Sequence, residues 1–304
     1  MTQLLNALPG ALAQGLIWGV MAIGVYITYK VLDIADLTVD GSIYTGAAVC
    51  TMLLLGGQSP WLALLCAVLA GVLAGAVTGL LHVGLGIPPI LAGILTQMVL
   101  WSVNLKLLGK ANQALPARTT PVLLSQMDVG GALPVLLGFC VVLVALLVLF
   151  FGTELGCALR ATGCNPVMSR AQGVNTGLMK VIGLALSNGV VALSGALLCQ
   201  YQGYTDVNMG RGAVVIGLAA VVIGQAVLGR RGGRMAVQLG GVILGAVIYY
   251  IVYQVIIFAG FDTDLLKMFS AVVVAVFLGA PHVKAQLKAH SRSKKGDSGH
   301  AKNE

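Results

Sequence analysis

Residues 60–82 read PWLALLCAVLAGVLAGAVTGLLH, a stretch that contains no Asp, Glu, Lys or Arg. A helix needs about 20 apolar residues to cross the hydrocarbon core of a bilayer, so this stretch by itself predicts one membrane span. It lies within a longer charge-free region, 41–105, which has room for nearly three crossings. Turn-forming Gly and Pro residues at 57–60 and 84–89 divide that region. The sequence therefore predicts several consecutive membrane helices here.

The same pattern extends along most of the chain. Only 9% of its 304 residues are charged and 58% are hydrophobic, whereas a soluble domain carries about 25% charged residues. We predict an all-α, polytopic integral membrane protein with about eight to ten transmembrane helices, some of them broken or re-entrant. The predicted spans are 8–29, 37–55, 60–82, 88–108, 133–152, 179–200, 212–229, 235–258 and 265–280.

Basic residues predict the orientation of these spans. If the C-terminal tail is cytoplasmic, the alternating direction of the spans places thirteen of the 18 basic residues inside and five outside. The positive-inside rule requires such an excess on the cytoplasmic side. The chain then divides into a membrane domain, 1–281, with a cytoplasmic loop at 153–180, and a basic cytoplasmic tail, 282–304, which we expect to be disordered. The side of the N-terminus stays open, because a re-entrant segment at 33–41 would move it inside.

The hydrophilic stretch 153–180 is too long for a bare connection between two spans. Apolar residues at helical spacing predict a short helix that begins near 154 and ends at Gly163 and Asn165. A second short helix is predicted from Pro166 to Gln172, before Gly173. Two short cytoplasmic helices are typical of a docking element for a soluble partner. The alternative is an interfacial elbow without a partner.

Polar residues in or beside the spans are the candidates for a solute path. A carboxylate at membrane depth is costly, so it faces a water-filled cavity or the interface. Glycine-rich breaks at 86–93 and 203–212 predict broken helices, which occur where a span lines a cavity or packs against protein. Helix capping is an equal alternative for the carboxylates, and interhelical hydrogen bonding is the alternative for the amides and hydroxyls. The candidate path residues are Asp36, Asp40, Thr96, Gln97, Asn104, Asn188, Gln200 and Asp206.

The sequence lacks the residue patterns that several chemical functions require. The motif GxxxxGK[ST] is absent, so the chain has no P-loop to hold ATP phosphates. The four histidines are isolated, and neither HExxH nor GxSxG occurs. We therefore expect no catalytic site, no metal site and no cofactor in this chain. The net charge is +8, and the largest cluster of basic residues lies in the tail, which favours an anionic membrane surface over nucleic acid as its partner.

Several motifs together resemble one family. They lie at 36–48 (DLTVDGSIYTGAA), 86–97 (GIPPILAGILTQ), 153–156 (TELG), 159–166 (LRATGCNP), 186–189 (LSNG), 193–196 (LSGA), 200–203 (QYQG) and 217–224 (GLAAVVIG). Over residues 10–280 the chain resembles permease subunits of bacterial ABC importers of the branched-chain amino acid and ribose type, in particular the tryptophan/tyrosine (TrpX-associated) permeases. It departs from that pattern at Arg211, where a small or apolar residue is expected, and at Gln225, where the family often has Glu.

The resemblance implies a transport system of several chains in a bacterial inner membrane. Its parts would be two copies of this permease, two cytoplasmic ATPase subunits that bind the ATP, and an extracytoplasmic substrate-binding lipoprotein. The solute would be an amino acid, with an aromatic one favoured. Residues 153–175 would form the coupling helices that sit in a groove of the ATPase. The positions carried over to that coupling loop are Glu154, Gly156, Arg160, Gly163, Asn165 and Pro166.

Two other functions stay open from the residues alone. A secondary carrier that works without an ATPase needs ion-coupling groups at mid-membrane, and the predicted spans offer few. A membrane scaffold or enzyme would leave uptake independent of the polar loop residues, such as Asp206 and Arg211.

Overall fold

A computed structural model describes residues 2–116, 120–228 and 234–258, together with Met268, Val272 and Ala275. It confirms the all-α membrane architecture, because seven helices within this part of the chain are long and apolar enough to cross a bilayer, and Ala213–Leu228 is a shorter apolar helix. The predicted span 265–280, apart from those three positions, and the tail 282–304 lie outside the described residues.

The helices begin where the sequence supplies caps. In five helices the residue before the helix caps the first turn with its side chain. These capping side chains satisfy backbone N–H groups that have no partner within the helix. The capping residues are Ser59, Asp128, Thr153, Asn165 and Asn175. The elements are α1 Thr2–Tyr26, a π-helical turn Ile27–Val31, α2 Thr38–Leu55, α3 Pro60–Gly84, α4 Pro89–Leu108, β1 Asn112–Ala114, α5 Val129–Gly152, α6 Glu154–Cys164, α7 Pro166–Ala171, α8 Thr176–Gln202, β2 Tyr204–Asp206, α9 Ala213–Leu228 and α10 Met235–Phe258.

Helix α8 lies at the centre of the bundle, in contact with α1, α2 and α3. Small residues bring the backbones close together, as is common between membrane helices. A Cβ on Gly46 of α2 would overlap the carbonyl oxygen of Ala192, and one on Gly75 of α3 would overlap that of Leu184. Gly71, Gly75 and Gly79 form a repeated GxxxG pattern in α3, and a Cβ on any of them would meet α8 backbone atoms, so the pattern serves helix packing.

The helix pairs fix the direction of each span. Ser194 Oγ donates to Ile17 O and Ser187 Oγ donates to Gly24 O, both at 2.7 Å, so α1 runs antiparallel to α8. The start of α1 thus lies at the end of the bundle where α8 finishes and where the antiparallel ribbon β1–β2 sits, here called the ribbon end. The opposite end carries α6 and α7. The segment after α1 starts at the end that carries α6 and α7 and continues through α2 to the ribbon end. It is therefore a broken span that crosses the bundle, and not a re-entrant segment.

Two spans are interrupted near half depth. Asp36, just before α2, bonds to Asn188, which lies near the middle of α8, so α2 begins inside the bundle. Residues 207–212 run inward from β2, and Gly210 lies against the Asp40 backbone, so α9 also begins there. The break before α9 was predicted from the sequence, whereas the course of the segment before α2 was left open there. Together the two breaks bring two helix N-termini side by side.

The close α3–α8 contact gives a testable stability difference. We expect Gly75→Ala to lower the free energy of unfolding by about 1–3 kcal/mol, because the added methyl group meets backbone atoms of α8 that cannot move aside. Gly138→Ala is the matched control, since a Cβ at this position of α5 meets no atom within 4 Å. Unfolding in mixed detergent micelles would compare the two, and equal stabilities would contradict the packing described here.

Candidate functional site

A cavity of about 500 Å³ lies where the two interrupted spans meet. Its volume is in the range of small-molecule sites, about 300–1,000 Å³. Three pieces of chain form the wall: the first turns of α2, one face of α4, and the segment before α9. The lining residues are Asp40, Gly41, Tyr44, Ile94, Gln97, Met98, Trp101, Ser102, Val207 and Arg211.

Asp40 holds the start of α9 against α2. Its carboxylate oxygens accept hydrogen bonds from the backbone N–H groups of Gly212, at 3.0 Å, and Val214, at 3.1 Å. These groups are the otherwise unpaired donors of a helix start, and a carboxylate also suits the positive end of the helix dipole. The capping alternative is therefore found for Asp40, but the helix that it caps is α9 and not its own.

A buried polar network fixes the start of α2. Asp36 accepts from the Thr38 backbone N–H at 2.8 Å and from Asn188 Nδ2 at 2.7 Å, and Ser42 Oγ donates to Asn188 Oδ1 at 2.6 Å. All of these side chains are at most 5% exposed. Such pairing lets polar groups stay at membrane depth, where unpaired ones would be costly.

Hydroxyl and amide pairs hold α4 in place beside this network. Thr78 Oγ1 bonds to Thr96 Oγ1 at 2.9 Å, and Thr38 and Thr78 share a further bond of 2.8 Å. Asn104 Nδ2 donates to Thr45 Oγ1 at 2.8 Å. Thr96, Asn104, Asn188 and Asp36 thus bond between structural segments and do not line the cavity.

A second cavity of about 440 Å³ lies nearer the ribbon end, and Asp206 belongs to its lining. Asp206 accepts from the Asn208 backbone N–H at 2.7 Å, which shapes the turn after β2. Gln200 lies outside both cavities, since its Oε1 accepts from the Leu123 backbone N–H at 3.0 Å and the side chain is fully buried. Of the eight candidate path residues, Asp40, Gln97 and Asp206 are the ones on these two cavities, and their part in transport stays a prediction.

The α6–α7 element forms as the sequence predicted and lies at the end of the bundle opposite the ribbon. Thr153 and Asn165 cap its two helices, and Gly156 and Gly163 permit close approach to the bundle. A Cβ on Gly163 would overlap the carbonyl oxygen of Val31. Pro166 opens α7, while Glu154 and Arg160 are exposed. The six predicted coupling residues therefore divide into packing and capping residues and two exposed charges.

Three apolar side chains of this element are exposed outside the membrane-spanning helices. Val167 is 78% exposed, Met168 60% and Leu155 51%. These side chains are covered neither by the protein core nor by the hydrocarbon region. Exposed apolar groups of this kind mark a surface that contacts another protein or the membrane interface. We call Leu155, Val167 and Met168 the α6–α7 patch.

The segment 31–40 connects the α6–α7 element to the central cavity. At one end, Gly163 contacts Val31, and Leu32 packs against Gly183 and the core that contains Leu159. At the other end, Asp36 is bonded to α8 and Asp40 to α9. A displacement of α6 would therefore be transmitted through these contacts to the start of α2, and from there to the cavity wall.

Sequence reasoning missed part of the central cavity. Ile94, Met98 and Ser102 share one face of α4 with Gln97 and Trp101, at spacings of three and four residues. The spacing of Ser102 from the predicted Gln97 on the same helix was the signal that could have marked this face. Among the described residues, no group of His, Cys, Asp or Glu could hold a metal ion.

Comparisons with known proteins agree on one family. The family described as "Branched-chain amino acid transport system / permease component" matches residues 8–280. The tyrosine transport system permease protein of Clostridioides difficile is 37% identical over 287 residues, 93% of this chain and 94% of that protein. The autoinducer 2 import system permease protein LsrC of Escherichia coli K12 is 29% identical over 216 residues, 67% of this chain and 60% of that protein. No solved structure matches the chain.

Proposed function

The chain belongs to the family of branched-chain amino acid transport system permease components, and from this premise we propose that it is the membrane permease of an ABC importer for an α-amino acid, with an aromatic amino acid favoured. As a member of that family it is a transport subunit and a multi-pass inner-membrane protein. The aromatic preference is supported by the name of the tyrosine transport relative and by Tyr44 and Trp101 in the cavity wall.

The α6–α7 element carries this proposal. It presents the apolar α6–α7 patch beyond the membrane helices and is packed directly on the segment that leads to the cavity. An ATPase subunit docked on the patch would therefore act on the cavity through Val31 to Asp40. Two ATPase subunits would bind the ATP, because this sequence has no P-loop.

The other proposed partners fit the remaining surfaces. The ribbon end offers polar loops, with Asn112 bonded to Asp206 across β1–β2, and suits an extracytoplasmic binding lipoprotein. Helix α4 is largely uncovered, with 22% of its most hydrophobic stretch buried, yet it carries Gln97 and Ser102 on the cavity face. Lipid is a poor cover for those polar groups, so a second permease copy is proposed to complete the path there.

The proposed mechanism is alternating access. ATP binding brings the two ATPase subunits together, and the two α6–α7 elements move with them. Because Gly163 lies against Val31 and Asp36 is fixed to α8, the motion reorients the interrupted starts of α2 and α9. The cavity would then open alternately towards the ribbon end and towards the cytoplasm.

A secondary carrier that acts without an ATPase is the second candidate. Asp36 and Asp40 are carboxylates at the depth where a carrier would bind its coupling ion, which is the observation in its favour. Both are already bonded to an amide or to backbone N–H groups. Uptake by the purified chain alone, driven by an ion gradient in proteoliposomes, would favour the carrier.

The proposal requires α6 and α7 to face the cytoplasm, and the cysteines test this. Cys157 and Cys164 are exposed on α6, whereas Cys50, Cys140 and Cys199 are buried. We expect a membrane-impermeant maleimide to label Cys157 and Cys164 after the cells are permeabilised and not in intact cells. Gln58→Cys, in a variant that lacks Cys157 and Cys164, is the matched control, since Gln58 is exposed at the ribbon end and should react in intact cells. Labelling of Cys157 from outside would remove the ATPase-docking role.

A further inference from the structure

The central cavity carries one cation whose charge has no partner in the wall. Arg211 lines the cavity between Gly210 and Gly212, the two residues that lie against Asp40. Within the part of the chain that the structure describes, no carboxylate forms an ion pair with the Arg211 side chain. The Arg211 side chain is exposed in the single chain, so its guanidinium is available to an anionic solute. A solute that brings a carboxylate would therefore bind here with a large electrostatic advantage.

The same wall carries an anion with unused acceptor capacity. The Asp40 oxygens each accept one backbone hydrogen bond from the α9 start, and an ionised carboxylate offers about four acceptor positions. Asp40 and Arg211 line one cavity and form no ion pair with each other in the part of the chain that the structure describes. The space between an unpaired cation and a partly satisfied anion suits a zwitterion.

A hydroxyl group in the wall lacks a hydrogen-bond partner. Tyr44 lines the cavity, is 2% exposed, and its Oη has no partner among the described residues. More than nine in ten buried polar groups in proteins are paired, and this hydroxyl oxygen is closed to solvent, so a solute reaches it only if the cavity wall shifts. A polar group on the solute, or its backbone, would supply the missing bond.

The α4 side of the cavity carries three large apolar side chains beside the polar Gln97 and Ser102. Ile94, Met98 and Trp101 lie on one face of the helix at helical spacing. Thioether–aromatic contact and ring stacking favour a large, flat side chain over a sugar ring with hydroxyls on every edge. Asp40 and Arg211 on one side of the cavity and these three apolar side chains on the other thus match the two ends of an aromatic α-amino acid.

We propose that this cavity is a binding site of the permease itself for zwitterionic α-amino acids. Arg211 takes the α-carboxylate, Asp40 takes the α-ammonium group, and Trp101 with Met98 contacts the side chain. The inference rests on the proposed function, and it assigns to this chain a part of the substrate selection that an external binding protein would otherwise perform alone. Arg211 is then the residue that separates amino acids from neutral solutes.

Binding of L-tyrosine and two analogues to the purified full-length chain in nanodiscs tests the site. Tyramine lacks the carboxylate and 3-(4-hydroxyphenyl)propionate lacks the ammonium group. We expect each analogue to bind at least about tenfold more weakly than L-tyrosine to the natural chain. In Arg211→Gln, L-tyrosine should lose at least about tenfold in affinity and tyramine should be unaffected, so that the two bind about equally. Lys106→Gln is the matched control, because Lys106 is an exposed cation of α4 outside the cavity lining.

Three results would overturn the inference. They are equal binding of L-tyrosine and tyramine to the natural chain, an unchanged preference in Arg211→Gln, and no saturable binding of L-tyrosine up to about 10 mM, a weak-affinity limit. None of these results affects the proposed importer function, which depends on the cytoplasmic side of α6–α7 and on the ATPase. A size-exclusion profile of Arg211→Gln that matches the natural chain separates lost recognition from lost folding.

Discussion

Replacing both apolar residues of α7 by acid, as Val167→Glu with Met168→Glu, is expected to reduce ATP-driven amino acid uptake to the background level. Both side chains are more than half exposed at the end opposite the ribbon, and both belong to the α6–α7 patch. In the proposed complex they are buried in a groove of the ATPase. Two carboxylates forced into an apolar contact should weaken the association at least about a hundredfold, because each replaced anchor contributes more than about 1.4 kcal/mol.

The measurement is co-purification of a P-loop ATPase with the tagged permease, followed by uptake of L-tyrosine into membrane vesicles supplied with ATP. The same vesicles should show no loss of permease, because neither side chain is part of the bundle core. Gln172→Glu is the matched control, since it adds a charge at an exposed position directly after α7. Full co-purification and uptake in the double variant would falsify the assignment of the α6–α7 patch to the ATPase.

Removal of the Asn188 amide is expected to cause the largest loss of stability. Asn188→Leu takes away the donor to Asp36 and the acceptor of the Ser42 hydroxyl in a fully buried setting. Asp36 would keep the Thr38 backbone N–H as a donor, but the loss of a charge-assisted bond and of the bond to Ser42 in a buried setting should lower the free energy of unfolding by about 3 kcal/mol. The start of α2 would also lose its attachment to α8, so uptake should fall with stability.

A second substitution in the same helix shows whether this loss is specific. Ser194→Ala removes one buried hydrogen bond, from Ser194 Oγ to Ile17 O at 2.7 Å, and leaves no carboxyl group without a partner. Such bonds between membrane helices contribute about 0.6 kcal/mol on average. Unfolding in mixed micelles should therefore separate the two variants clearly. If Asn188→Leu is no less stable than Ser194→Ala, the network at Asp36 does not hold the interrupted span.

These expectations describe one mechanical unit between the α6–α7 element and the cavity. Gly163 contacts Val31, Asp36 is bonded to Asn188, and Asp40 is bonded to the start of α9. Each contact joins a different pair of segments, so the start of α2 cannot move without changing the cavity wall. This arrangement offers a physical reason why ATP hydrolysis in a separate chain would change access to a site at mid-membrane.

Local signals in the sequence predicted the elements of this unit. The apolar runs predicted the seven long helices and the short α9, and the Gly and Pro residues at 163–173 predicted the division between α6 and α7. The break before α9 was also predicted, because glycines interrupt the apolar pattern there, whereas the course of the segment at 33–41 was left open. The side of the N-terminus could not be predicted, since Lys30 is the single basic residue near that end of the chain.

The candidate path residues show what local signals leave undecided. Polarity marked Thr96, Asn104 and Asn188 as strongly as it marked Gln97, yet the first three bond between helices and Gln97 lines the cavity. A polar side chain on a membrane helix has two ways to avoid lipid, a partner helix or a cavity. Which one it takes depends on the rotation and depth of the helix, and a sequence pattern specifies neither.

The sequence by itself determined that this chain spans a membrane with helices, that the span before Leu228 begins late, and that two short helices lie outside the spans. Length, hydropathy and capping residues decide these features, because they act within one or two helical turns. Tertiary structure alone decided that Asp40 caps a helix 172 residues further along the chain and that Arg211 shares a cavity with Tyr44 and Trp101. Those relations arise where two half-depth helix starts meet, and only the packing of α2, α4 and α9 brings them together.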